Sequence, residues 1–361
     1  MAIRKVGDCR ILGELGKGGM GVVYRGVHEG LQREVAIKEL TADGAKNKEA
    51  LSRFRREAIA LAGFRHQNIV TLYDLVEKND ALYMVMELVD GPTLTELIRE
   101  GPLPSEVVAV LGVQLAGALE HAHFARIIHR DLKPANVMVS KLGEVKLMDF
   151  GIAKDQELDP LTKTGMAVGT PAYMSPEQIT GGEVDARTDL YSLGLLMHEA
   201  LTGQRAFTGQ TPGEIFAKVA QGKPPSLRKQ APHVPAELRA VVNRAIEREP
   251  RRRYFDAAEM RRALERFVAK RVKISEPALL VGFLHQRHKV TETEALARLS
   301  QTEMTLAQKL EAASPRELSK ARRRWPLRLV VTMLALGASA YLSWPWWLPR
   351  VQAQWARLFA H

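Results

Sequence analysis

Cysteine is almost missing from this chain of 361 residues, with Cys9 as its only copy. One thiol cannot close an intramolecular disulfide, which excludes a disulfide-stapled secreted scaffold and fits a reducing compartment. The start, MAIRKVGDCR, lacks an apolar run long enough for a signal peptide, so nothing there directs an N-terminal domain out of the cell. Tryptophan is absent from the first 324 residues; Trp325, Trp344, Trp346, Trp347 and Trp355 all lie beyond them. Net charge is nearly absent from the same part. The chain carries +11, but residues after Phe267 hold 15 Lys/Arg against 6 Asp/Glu, leaving 37 against 35 before them. A globular part this close to neutrality lacks the basic footprint of a nucleic-acid binder, whereas the basic tail suits an anionic membrane surface. The hydrophobic content of 46% permits one or two domains with a substantial buried core.

Short β-rich runs separated by turn signals occupy 10–15, 21–27, 34–40, 69–76 and 82–88. Between the third and fourth, Phe54, Ala58 and Leu61 fall at helical spacing. After the turn at Gly91 and Pro92 the period changes. Val107, Val108, Leu111, Leu115 and Leu119 recur as in a helix, and Ser105 offers an N-cap. Further helical patterns cover 190–201, 214–220, 236–246 and 257–267. A small β-rich lobe carrying one helix therefore precedes a larger helical lobe. The polar stretch 269–324, with scattered Leu296, Leu299, Leu306 and Leu310, is predicted as a juxtamembrane linker with some helix. A coiled-coil dimerisation segment is the alternative, although its weak repeats fall short of three or four heptads.

Gly16, Gly18 and Gly21, with Lys17, Gly19 and Met20 among them and Val23 after them, lie between two predicted strands. Glycine there lets backbone amides approach phosphate oxygens. The strand that follows disfavours a dinucleotide fold, which needs a helix after the glycines. Lys38 ends a predicted strand, and Glu57, nineteen residues on, lies on the following helix within reach of an ion pair.

Three further runs complete the set: His129-Arg130-Asp131-Leu132-Lys133-Pro134-Ala135-Asn136, then Asp149-Phe150-Gly151, then Ser175-Pro176-Glu177. At these points the chain resembles the eukaryotic-type (Hanks-type) protein kinases, and their bacterial serine/threonine branch most closely, over residues 8–268. The resemblance implies an α+β, bilobal fold and transfer of the γ-phosphoryl group of ATP to protein Ser/Thr hydroxyls. It implies that Asp131 accepts the substrate proton, Asn136 and Asp149 hold Mg²⁺ or Mn²⁺, Lys38 orients the phosphates and Lys133 faces the γ-phosphate. Adenine would lie among Val23, Ala36 and Met138, with Met86 as gatekeeper and the backbone of Glu87 and Val89 as hinge. Thr170 matches the threonine that orients catalytic-loop groups in serine/threonine kinases. Glu177 is expected to pair with Arg253, Asp189 to hold the catalytic-loop backbone, and His129, Phe150, Leu61 and Leu72 to form an apolar column between the lobes. Ser175 stands where the family usually has alanine. A catalytically dead scaffold is opposed by the intact Lys38, Glu57, Asp131, Asn136 and Asp149. A small-molecule phosphotransferase is opposed by Thr170 and the segment around Glu177.

Arg130, beside the expected base, implies activation by phosphorylation of Thr162 and Thr164, for which a homodimer acting in trans is a candidate arrangement. Residues 329–348 carry no formal charge over a length of about 30 Å, the thickness of a bilayer core. Arg322, Arg323, Arg324 and Arg328 precede this run, and Trp344, Trp346 and Trp347 mark its far end. Both features predict a single-pass helix in the cell membrane, in contact with lipid, with a cytoplasmic kinase domain and a short extracytoplasmic tail at 349–361. Pro345 leaves an interfacial hairpin or an oligomer-buried helix open.

Overall fold

Strand register sorts the N-terminal side chains onto two faces of one sheet. In the computed structural model, which describes residues 5–18, 21–40, 48–78, 81–150 and 171–312, six antiparallel strands pair in the order β1-β2-β3-β4-β6-β5. They are β1 (Lys5–Val6), β2 (Cys9–Gly18), β3 (Gly21–His28), β4 (Arg33–Leu40), β5 (Leu72–Lys78) and β6 (Ala81–Glu87). Val23 lies opposite Lys38, Lys38 opposite Met84, and Ala36 opposite Met86. Paired residues share a face and alternate residues along a strand rejoin it, so these five side chains belong together. The opposite face gathers Val35, Ile37, Tyr83 and Val85 with Val6 and Cys9 into a small core of its own. Helix α1 (Lys48–Ala62) buries Phe54, Ala58 and Leu61 in the main core beside Leu40 and Met84. The predicted strand at 69–76 starts later, at Leu72, because Ile69 instead bridges to Leu147.

The helical lobe comprises α2 (Leu94–Arg99), α3 (Ser105–Phe124), α4 (Pro176–Thr180), α5 (Ala186–Thr202), α6 (Pro212–Gln221), α7 (Leu227–Gln230), α8 (Ala236–Ala245) and α9 (Ala257–Arg271), with the hairpin β7 (Val137–Val139) and β8 (Val145–Leu147). Among the described residues α3 is the one helix long and apolar enough to cross a membrane, yet it is the central core helix of this lobe, buried on nearly every side. Its N-cap is Pro104 rather than Ser105. The carbonyl of Pro104 already accepts the amide of Val108 at 3.0 Å, so the helix begins one residue earlier and Ser105 is drawn into it. Helix α5 begins on an Asp185 cap and ends at Gly203, whose φ of 71° suits a residue without Cβ.

Residues 276–312, inside the stretch predicted as a linker with some helix, are largely helical. They form α10 (Glu276–Gln286), α11 (Glu292–Leu296) and α12 (Gln301–Ala312), and Leu279, Leu280, Val281, Phe283, Leu284, Val290, Ala295, Leu299 and Met304 join the core of the helical lobe. Helices α10 and α12 cross closely: a Cβ at Gly282 would stand 2.4 Å from that of Ala307. Of the leucines that looked scattered along the sequence, Leu299 joins this packing, whereas Leu296 is exposed. The chain divides at this point, with 1–312 in one unit and 313–361 in a second. The rest of the predicted linker, the candidate span 329–348 and the tail 349–361 lie outside the described residues, as do Gly19, Met20, Gly151, Thr162, Thr164 and Thr170.

Candidate active site

A chain of polar contacts runs from α1 to the loop before β7. The ammonium of Lys38, on β4, lies 3.2 Å from Glu57 and 2.7 Å from Asp149. Lys133 lies 2.7 Å from Asp131. Asn136 Nδ2 donates to the backbone oxygen of Asp131 at 2.9 Å, to its carboxylate at 3.2 Å and to the backbone oxygen of Asp149 at 3.5 Å. The structure thus brings Lys38, Glu57, Asp131, Lys133, Asn136 and Asp149 to one cleft. Burial opposes the charge on Lys38, but Asp149 and Glu57 outweigh it and raise its pKa. Burial pushes the carboxyl of Glu57 up to about 7 against the pull of Lys38. Enclosure also opposes ionisation of Asp149, yet the ammonium of Lys38 holds its pKa below the ordinary value. Lys38 therefore stays cationic and Asp149 anionic at neutral pH.

Two residues in this region adopt left-handed backbone, Arg130 with φ 63° and Asp149 with φ 53°. Such conformations persist where surroundings over-determine them. For Arg130 the cause is Asp189 on α5, fully buried, which accepts the amides of His129 and Arg130 at 2.8 Å each and meets His123 Nε2 at 2.8 Å. Next to Asp149, Phe150 is buried against His129 and Phe64, with ring centroids 4.5 and 4.9 Å away. Leu61 and Leu72 belong to the same core. The expected pairing of Glu177 with Arg253 is present and bidentate, at 2.6 and 2.8 Å.

The candidate adenine wall uses the sheet face described above, with Val23, Ala36 and Met86, while Met138 bridges to Thr93 from β7. Gly16 pairs with Val23, and Gly18 with Gly21, so β2 and β3 stay paired up to the edge of the glycine-rich turn. A Cβ on Gly16 would meet nothing within 4 Å, whereas one on Gly21 would strike the carbonyl of Glu39 at 1.8 Å. Packing therefore demands glycine at Gly21, and open space beside Gly16 leaves room for a ligand. Asn136 and Asp149 offer hard oxygen donors. Since Asn136 Nδ2 is committed to Asp131 and Asp149, the amide oxygen is the atom a cation would take. The set fits a magnesium ion.

A match to the protein kinase domain covers residues 9–263. The chain belongs to the protein kinase family. Among relatives of this kinase, serine/threonine-protein kinase PrkC of Bacillus subtilis is 35% identical over 348 residues, covering 93% of this chain and 52% of that one. Serine/threonine-protein kinase PknB of Mycobacterium tuberculosis is 43% identical over 266 residues, covering 71% and 42% respectively. The kinase thus spans about half or less of the length of these relatives. The crystal structure of the Mycobacterium tuberculosis PknI kinase domain superposes with a TM-score of 0.59 at 28% identity, covering 74% of this chain and 99% of that one.

Several supporting residues escape sequence reasoning. His123 completes the ligands of Asp189, and Phe64 completes the packing of Phe150. Lys146 on β8 pairs with Glu87 at 2.6 Å, and Glu87 also accepts the amide of Thr71 at 3.2 Å. Asn68 and Gln114 form a buried amide pair at 2.9 Å. None sits in a local motif; each is defined by a partner distant in sequence.

Proposed function

We propose that this chain is a serine/threonine protein kinase that moves the γ-phosphoryl group of ATP onto Ser and Thr hydroxyls of proteins. The carrying observation is the continuous polar chain from Glu57 through Lys38 and Asp149 to Asn136, Asp131 and Lys133. Lys38 holds the α- and β-phosphates, kept in place by Glu57. Asp131 accepts the proton of the acceptor hydroxyl while its oxygen bonds to the γ-phosphorus and the bond to the bridging oxygen of ADP breaks. Lys133 lies beside Asp131 to meet charge on the transferring group. Asn136 and Asp149 would hold a divalent magnesium ion, which would supply charge neutralisation for the phosphate oxygens. Catalysis here rests on placement and charge, since phosphoryl transfer asks little covalent chemistry of the protein.

The reading extends to residues outside the description. Thr162 and Thr164 receive the activating phosphates, which the guanidinium of Arg130, beside the base, helps to order. Residues 329–348 form one membrane span with the kinase on the cytoplasmic side, supported by the charge-free run, its arginine flank and its tryptophan cluster. Burial of a span would persist in 1 M salt, where a Debye length of about 3 Å removes surface attraction. Salt extraction of the full chain from membranes would remove the span and leave the kinase assignment standing.

Phosphosite mapping by mass spectrometry after incubation with MgATP tests the activity. Phosphothreonine and phosphoserine, with Thr162 or Thr164 among the sites, are expected. Absence of phosphate, or mainly phosphotyrosine, refutes the reading.

A further inference from the structure

The match to the protein kinase domain ends at residue 263, yet three more helices, α10 to α12, are built into the lobe. We propose that these helices are a brace that positions the nucleotide pocket, acting through Glu276, Arg287, Lys289 and Glu294. The inference rests on the kinase reading of that pocket.

Three separate contacts carry it. The first is at the β7–β8 turn. Gly143, with φ 77°, abuts the start of α10 so closely that a Cβ would stand 2.3 Å from the carbonyl oxygen of Pro277. From the same turn, the ammonium of Lys141 lies 3.3 Å from Asp90, just past the hinge, and 3.3 Å from Glu294 at the start of α11. Its backbone amide donates to the carbonyl of Asp90 at 2.8 Å. The hairpin that carries Met138 is thereby clasped between the hinge exit and the added helices.

The second contact holds the far end of α2. The side chain of Arg287, 1% exposed, donates to the carbonyl of Pro102 at 3.0 Å and lies 3.8 Å from Glu100. Lys289 meets Glu100 at 2.6 Å. Glu100 is the C-cap of α2, the short helix that follows the hinge. The third runs through the lobe interior. Gln114 Nε2 donates to Glu276 at 3.2 Å, while its amide oxygen accepts Asn68 at 2.9 Å and the amide of Val145 at 3.0 Å. The carbonyl of Asn68 accepts the amide of Leu147, two residues before Asp149.

The first contact ends on the hairpin that carries Met138, the second on the helix whose N-cap Thr93 bridges to Met138, and the third on the strand that leads into Asp149. Individually the exposed ion pairs are weak. Their shared target makes them effective. If loosening them lowers the fraction of molecules with hinge, hairpin and α2 in the binding geometry, apparent nucleotide affinity falls by that fraction. Turnover from the filled site changes little, because none of the four residues reaches the reacting atoms.

The test uses the full chain with Lys289→Ala and Glu294→Gln combined, both at partly exposed positions, and separately Arg287→Met as the stronger disruption. The KM for MgATP, kcat on a fixed protein acceptor, the Kd for MgADP, the melting temperature and hydrogen exchange are measured. The expected result is a KM and Kd about threefold to tenfold higher with kcat within about twofold. Amides in 90–101 and 137–147 exchange faster, and the double variant melts close to the parent. Unchanged KM, Kd and exchange in the double variant overturn the proposal. So does an Arg287→Met protein that melts lower with KM and Kd unaltered, since that outcome is plain packing. A parent chain that transfers no phosphate refutes the kinase reading alone, and exchange in the two segments still decides for or against the brace.

Discussion

Two clusters of charge in this molecule, one half-buried and one buried, are assembled in opposite ways. In the cleft, the ammonium of Lys38 is shared between Glu57 at 3.2 Å and Asp149 at 2.7 Å, and burial leaves Glu57 with a pKa pushed up to about 7. In the helical lobe, Arg253 gives two bonds to Glu177 and further bonds to the carbonyls of Arg187, Glu247 and Arg248, while Thr188 donates to the same carboxylate. Burial there also opposes ionisation, but these bonds hold the pKa of Glu177 down. The second cluster is complete as it stands, whereas in the first a carboxylate is held close to its titration point beside a cation that has two partners. A site that must accept phosphates and a metal benefits from such incompleteness. A joint that holds two segments of a lobe together does not.

The comparison predicts different failures. Lys38→Met and Asp149→Asn each lower autophosphorylation by about a thousandfold or more while the protein stays folded, as checked by radiolabelled ATP and circular dichroism. Full activity in either variant breaks the assignment of the cleft. Arg253→Met strands Glu177 in the interior and costs about 3–5 kcal/mol in urea denaturation, with Arg253→Met and Glu177→Leu together recovering part of the loss. A loss below about 1 kcal/mol for the single change would make the two clusters alike after all. Replacing Thr162 and Thr164 together by alanine lowers activity by roughly an order of magnitude, through loss of the phosphate that orders the loop. Parent-like activity means that Arg130 has no such role.

The smallest effect concerns pH. The pKa of Glu57 is raised from 4.5 to about 7 on folding, so its contribution to stability is complete below about 4.5 and is lost as pH rises through about 7. Between pH 5.5 and 8 the parent should lose more stability than Glu57→Gln, by on the order of 1 kcal/mol per pH unit within that window. Parallel pH curves for the two proteins would show that the carboxyl does not titrate there.

Legibility in the sequence followed the range of each interaction. Helix α5 was readable at 190–201 because its apolar residues recur with a local period, and Glu57 could be placed opposite Lys38 because one strand and one helix separate them. Even the distant pair Glu177 and Arg253 was accessible, through resemblance to a family, and the structure contains it. Ser105 misled because a good capping residue follows a proline whose carbonyl already starts the helix. Residues 276–312 are less legible still. Their apolar side chains have weak periodicity, and the pattern makes sense only against the surface they cover, from Gly143 to Glu100.

The order and chemical types of Gly16, Lys38, Glu57, Asp131, Asn136 and Asp149 were determined by the sequence alone, and under the proposed function phosphate, metal and proton each demand a particular group. So was the charge-free run at 329–348, because length and composition are properties of the chain itself. Tertiary structure alone decided that His123 would complete Asp189, that Asn68 and Gln114 would join β8 to α10, and that the last described helices would belong to the lobe. Such contacts depend on complementarity between surfaces brought together from far apart in the chain, and no local period or motif encodes the partner.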